Sequence, residues 1–168
     1  MQEQSSVGAP DKRGQYLSFR VGADDYAVDI LRVQEIRGWE TVRPLPDAPE
    51  YVKGVLDLRG TIVPIIDLRV RFGNRDPEYR STTVVIILAV SHGDGLHLVG
   101  VVVDGVSDVL DAGQTEIKDR GIKFLRAALV PAVDSVVAEI ADKTRCSQCG
   151  TDIAGNVLLI FNNQNPHQ

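Results

Sequence analysis

The sequence predicts a mainly β fold, of small barrels or a sandwich, on three observations. Seven or eight short apolar segments lie between Leu17 and Leu110, with turn signals separating them. Apolar residues make up 43% of the 168, and only 5% are aromatic. Most are Val, Ile and Leu, and the β-branched side chains suit a pleated, half-buried surface. Finally, Arg59-Gly60 parts two apolar arms, residues 55–58 and 61–68. A two-residue gap with Gly second marks a hairpin, because tight hairpin turns need positive φ.

Taken in order, residues 1–14 are polar and mixed in charge, and read as a disordered leader. Leu17, Phe19 and Val21 alternate with Ser18 and Arg20, the period of a half-buried strand. Gly22 to Asp25 turns the chain into a second alternating strand through Tyr26, Val28 and Ile30. Residues 30–38 fit either a helical turn or a strand, and a short turn followed by a strand satisfies both patterns. Pro44, Pro46 and Pro49 punctuate a loop before the central hairpin. Pro64 lacks an N–H, so its arm has an edge position or a locally unpaired site there. Residues 73–81 are polar and turn-rich, a connector between two halves. Residues 83–90 form a continuous apolar run, as expected of a strand buried on both faces. Ser91 to Gly95 closes a hairpin onto residues 96–103, and Asp104-Gly105 bends the chain into a strand at 106–110. Beyond Lys118 the pattern changes. Ile122, Leu125, Leu129, Val133, Val136 and Ile140 recur at helical spacing, broken by Pro131. The one strand-like run after Leu110 is 157–161, and a polar tail follows at 162–168.

Composition excludes several function classes. A net charge of −5 and a pI near 5.1 disfavour nucleic acid and an anionic membrane surface as partners. No apolar run approaches bilayer-spanning length, and the first 14 residues lack a secretory core, so direct membrane insertion is not expected. A cytoplasmic location follows. Cys146 and Cys149 have no histidines at metal-ligand spacing, and read as two reduced thiols in a loop. Ser91, His92 and Asp94 are near neighbours in one loop, whereas a hydrolytic triad converges from separate elements. No phosphate loop or calcium loop is present. The sequence therefore offers no catalytic, cofactor-binding or metal-ligating residue.

Three segments carry a resemblance. They are Tyr26-Ala-Val-Asp-Ile-Leu-Arg-Val-Gln-Glu-Ile-Arg-Gly, Gly54-Val-Leu-Asp-Leu-Arg-Gly-Thr-Ile-Val-Pro-Ile-Ile-Asp-Leu-Arg and Val99-Gly-Val-Val-Val-Asp-Gly-Val-Ser-Asp-Val-Leu. In this order and spacing the chain resembles the CheW-type chemotaxis coupling proteins, from about Gln15 to about Lys118. The resemblance implies two small SH3-like five-stranded β-barrels packed together, within a domain over 15–161. It implies a non-enzymatic adaptor joining methyl-accepting chemoreceptors to the histidine kinase CheA, at membrane-associated receptor arrays. By position, Val33, Glu35 and Ile36 match the segment facing the kinase. Arg59, with Val52 and Lys53, matches the region of receptor and kinase coupling, and Lys118 lies near a second contact. Apolarity alone reads Val33 and Ile36 as core.

The usual ending of that family, an Arg-Met-apolar-Asp run, is not recognisable here; residues 156–162 are its nearest equivalent. The expectation is that residues 157–161 supply a closing strand, residues 132–143 a covering helix, and 146–150 the loop between them. A free-standing small barrel that binds peptide or nucleic acid is the alternative. Scattered aromatics and the acidic balance argue against it.

Overall fold

The computed structural model describes residues 13–92 and 95–125. Among these, nine strands form two sheets. The first sheet has the order β8-β1-β2-β9, from β8 (Gly105–Gly113), β1 (Arg13–Val21), β2 (Asp24–Asp29) and β9 (Lys123–Phe124). The second has the order β3-β6-β7-β5-β4, from β3 (Val33–Gly38), β6 (Val84–His92), β7 (Gly95–Val103), β5 (Thr61–Asp67) and β4 (Val52–Leu58). Two short helices, α1 (Leu68–Arg71) and α2 (Gln114–Asp119), follow β5 and β8.

Side-chain alternation sorts the core into three layers. On β6, Ile86, Leu88 and Val90 face one cluster, while Val85 and Ile87 face another. That is the period of two expected of a strand buried on both sides, as the run at 83–90 predicted. The central cluster lies between the sheets and joins Leu17, Phe19, Val21, Tyr26 and Val28 to Ile66, Val99, Val101 and Val103. The second fills the inside of the five-stranded sheet with Val42, Val63, Ile65 and Val102. A third, smaller cluster of Tyr16, Ala27, Ala112 and Ile117 lies on the far face of the first sheet. Each fully buried Ile, Leu or Phe contributes about 1.5–3 kcal/mol of transfer free energy, so the central cluster is the main source of cohesion.

The five-stranded sheet curls shut. Arg43, in the segment leading from β3 to β4, exchanges both backbone hydrogen bonds with Val55, at 3.2 and 2.8 Å. This closure needs Gly54. Its φ is +143°, and a Cβ there would lie 2.0 Å from the Arg43 carbonyl oxygen. The same closure explains Pro64. Val55 turns its N–H and C=O toward Arg43, so its cross-strand partner Pro64 points its nitrogen away from β4. The ladder from β5 to β7 begins one residue later, at Ile65. Pro64 therefore sits in an inner strand at a point where no donor is required.

The hairpin, the turn at Ile30–Arg32 and the strands through β8 stand where the sequence predicts them. Four expectations need correction. Residues 73–81 do not connect two halves, because β3 to β7 all belong to the second sheet. The chain starts in the first barrel, builds the whole second barrel, and returns at Asp104-Gly105. Arg13 and Gly14, read as leader, already pair with Gly113 and Ala112 in β1. Polar strand ends carry no alternation to betray them. The helical spacing from Ile122 predicts the start of a broken helix at residues 122–124. Instead Lys123 and Phe124 form β9, parallel to β2, with the Leu125 N–H donating to the Ala27 carbonyl. Residues 157–161 are consequently not the one strand-like run after Leu110. The closing strand at 157–161, the helix at 132–143, the cysteine loop and the tail lie outside the described residues.

Candidate functional site

Arg59 and Gly60 form the tip of the β4–β5 hairpin, and both have positive φ, 54° and 86°. The Asp57 carboxylate accepts from the Gly60 N–H at 2.7 Å and locks the turn. Gly adopts this conformation freely, but an L-residue with a Cβ is strained by about 1–2 kcal/mol. A position that favours Asn or Gly thus carries a long cation, 87% exposed. Arg59 Nη2 reaches Glu35 Oε2 at 3.8 Å. Glu35 lies on β3 and Arg59 follows β4, at opposite ends of the strand order, so this pair spans the seam of the closed barrel.

A bulge decides which way β3 presents its side chains. Val33 pairs with Leu88, Glu35 with Ile87 and Ile36 with Ile86, the register slipping at Gln34. Paired residues share a face, so Val33 and Ile36 lie on one side of the sheet and Glu35 on the other. Simple alternation would have put Val33 and Glu35 together. Val33 packs at the margin of the central cluster, whereas Ile36 is 43% exposed. Glu35, one-third exposed, continues into Arg37 at 3.7 Å, and Arg37 Nη2 into Glu40 at 3.0 Å. The result is an alternating ladder, Arg59–Glu35–Arg37–Glu40, on the rim of the second barrel. Sequence reading missed Arg37 and Glu40, although the alternating signs at 35, 37 and 40 were the available signal.

The remaining predicted residues are not brought to this rim. A second bulge, at Lys53, turns Val52 into the central core and leaves Leu56 and Leu58 against the barrel interior. Val52 is buried and Lys53 half-buried, both at the end of β4 away from the hairpin tip. Lys118 is exposed on α2, beside the first barrel.

A second charged cluster, without a signal in the sequence, lies at the end of β5. Asp67 and Arg69, both fully buried, form a bidentate pair. Arg69 Nε donates to Asp67 Oδ1 at 3.0 Å, and Nη2 donates to Oδ2 at 2.8 Å. Nη1 donates to the Glu78 carbonyl at 2.8 Å and to Asp104 Oδ1 at 3.3 Å. The Tyr79 hydroxyl donates to Asp67 Oδ2 at 3.0 Å, its ring lies under the guanidinium, and its other side stacks on Trp39 at 4.5 Å. Burial opposes the charge on Arg69, but hydrogen bonds and attraction from Asp67 and Asp104 outweigh it and hold the guanidinium above its ordinary value. Burial first, then the neighbouring Asp67 charge, pushes the Tyr79 hydroxyl up to about 12. Each guanidinium nitrogen of Arg69 has a hydrogen-bond partner, as a buried pair requires. Among the described residues no group of His, Cys, Asp and Glu is arranged to hold a metal ion. No helix among them is long and apolar enough to cross a membrane.

Comparison with known proteins bears on family and fold. The chain is 48% identical over 104 residues to the chemotaxis protein CheW of Klebsiella aerogenes, covering 62% of this chain and 60% of that one. It is 40% identical over 102 residues to the CheW of Rhizobium meliloti, covering 61% and 63%. The chain thus matches less than two thirds of the length of these relatives. Among solved structures, the scaffolding protein TtCheW from Thermoanaerobacter tengcongensis superposes with a TM-score of 0.55 at 27% identity, over 62% of this chain and 68% of that one. The two packed sheets are the SH3-like barrels of that fold. The CheW-like domain matches residues 15–139, past Lys118, where the resemblance by motif ends. With three quarters of its length inside that match, the chain belongs to the CheW-like domain family.

Proposed function

We propose that this protein is a non-enzymatic chemotaxis adaptor that couples methyl-accepting chemoreceptors to the histidine kinase CheA, in the cytoplasm at membrane-associated arrays. Family membership over residues 15–139 is the observation that carries the reading. The rim gives it a physical form. Arg59 keeps a strained backbone and an almost fully exposed guanidinium, a cost that fold stability does not explain. Beside it stands the Glu35 carboxylate, shared between Arg59 and Arg37, and the exposed Ile36 lies on the other face of β3, so charge and apolar surface are both available to orient a docking partner.

In this reading strand β3 meets the kinase, with Glu35 on one face and Ile36 and Val33 on the other, and Arg59 orients the contact from the hairpin tip. Lys53 and Lys118 meet partners on other faces, and Val52 acts through packing because its side chain is buried. The test is a pull-down with the CheA regulatory domain and with a receptor signalling tip, using wild type and Glu35→Lys. The reading expects both partners to be retained by wild type, and kinase retention to fall at least tenfold in the variant. Retention of neither partner by wild type would overturn it.

A further inference from the structure

Among the described residues the two barrels are joined by the turn at Ile30–Arg32, by the return at Asp104-Gly105, and by the side chains around that return. The third is unusual. Asp104 Oδ2 accepts from the Gly22 N–H at 2.7 Å, in the β1–β2 turn of the first barrel. Its other oxygen, Oδ1, accepts from Arg69 Nη1 at 3.3 Å, in the second barrel. The Asp104 N–H also donates to the Arg20 carbonyl at 3.0 Å. One carboxylate therefore holds a backbone group of one barrel and the buried cation of the other. Through Arg69, Asp67 and Tyr79 it connects to Trp39, which follows β3, the strand that carries Glu35 and Ile36. An aromatic column, Phe19–Tyr26–Phe72, backs the same joint with spacings of 6.1 and 5.2 Å.

We propose that Asp104 is the positioning residue that couples the two barrels, so that a partner held on one barrel affects a partner held on the other. The part concerning partners rests on the adaptor reading above; the clamp itself does not. The Asp104 side chain is 37% exposed, unlike Asp67 and Arg69. It is therefore a fastener that the core can survive losing. The apolar cluster holds the barrels together, and Asp104 selects one orientation among those that greasy packing would tolerate. A carboxylate suits this place because its two oxygens accept from two sides at once and it adds a second negative charge beside the guanidinium already paired with Asp67.

Two variants of the full chain separate these roles. Asp104→Ala removes both contacts. Asp104→Asn keeps an amide oxygen that can accept from Gly22, but loses the charge facing Arg69. Without partners, amide exchange at Gly22 should quicken at least tenfold in Asp104→Ala and stay near wild type in Asp104→Asn. Spin labels on β2 and β4 should show a broadened distance distribution in Asp104→Ala, while slow amides of β6 keep their protection. Unchanged Gly22 exchange and an unchanged distribution in Asp104→Ala would overturn the clamp. The kinase regulatory domain is then titrated with and without saturating receptor tip. Each variant should bind each partner singly within twofold of wild type, while the ratio of the two kinase affinities moves at least fivefold toward one in Asp104→Ala. A ratio equal to wild type in that variant would overturn the coupling role. If wild type binds neither partner, the adaptor reading fails, and the clamp is decided by exchange and distances alone.

Discussion

Two arginines of this molecule, Arg59 and Arg69, lie ten residues apart on either side of one strand and are used in opposite ways. Arg69 is fully buried, with a bidentate carboxylate at 2.8 and 3.0 Å and each donor nitrogen occupied. Arg59 is exposed, strained at its backbone, and touches one carboxylate at 3.8 Å. Coulomb attraction is similar in kind for both, but dielectric and desolvation separate them. A buried pair is costly to break, whereas an exposed pair in water is worth about 0–1 kcal/mol. The comparison teaches that the first arginine builds the protein and the second is spare for recognition.

The largest expected effect comes from breaking the buried side. Arg69→Ala strands Asp67 without a counter-charge, and should cost about 3–5 kcal/mol in urea unfolding. A loss below about 1 kcal/mol would mean that the pair is not a structural element. Next is the closure that carries the Arg59 hairpin. Gly54→Ala forces a Cβ into the Arg43 carbonyl at a φ of +143°, and should cost on the order of 3 kcal/mol. Trp39 fluorescence would follow the loss.

A smaller effect sharpens the buried side by pH. The folded state holds the Tyr79 hydroxyl near 12, above its ordinary value of 10, so folding favours the neutral form. Its contribution is complete below pH 10 and is lost as pH rises from 10 toward 12. Tyr79→Phe should lose about 1 kcal/mol at neutral pH through the missing hydrogen bond to Asp67. It should also show a shallower fall in unfolding midpoint between pH 10 and 12. Parallel falls in both proteins would contradict the assignment. On the exposed side, Glu35→Lys faces a new cation toward Arg59 and Arg37, yet should change stability by only about 0.5 kcal/mol.

Much of the fold was readable from period and punctuation. The hairpin at Arg59-Gly60, the two-sided burial of β6 and the turn at Ile30–Arg32 each follow from a local rule. What was not readable depends on register and on return paths. The bulges at Gln34 and Lys53 each shift a strand by one residue, sending Val52 inward and placing Ile36 beside Val33, and no sequence pattern announces them. The return of the chain to the first barrel, and the two-residue strand β9, rest on tertiary pairing. Glu35 and Arg59 were both visible as candidates, but their contact across the barrel seam was not. Arg69 was hidden in plain sight, since a charged residue in an apolar hairpin motif reads as exposed until its partner is found.

The division between building and recognising is tested most directly on Arg59→Gly. Glycine relieves the strained turn while adding freedom to the unfolded chain, so stability should stay within about 1 kcal/mol of wild type. Calorimetric titration of the CheA regulatory domain onto this variant, with its unfolding midpoint recorded on the same sample, is the measurement. The account predicts an unchanged midpoint with affinity reduced at least tenfold. A midpoint lowered by many degrees with wild-type affinity would make Arg59 a structural residue and contradict it.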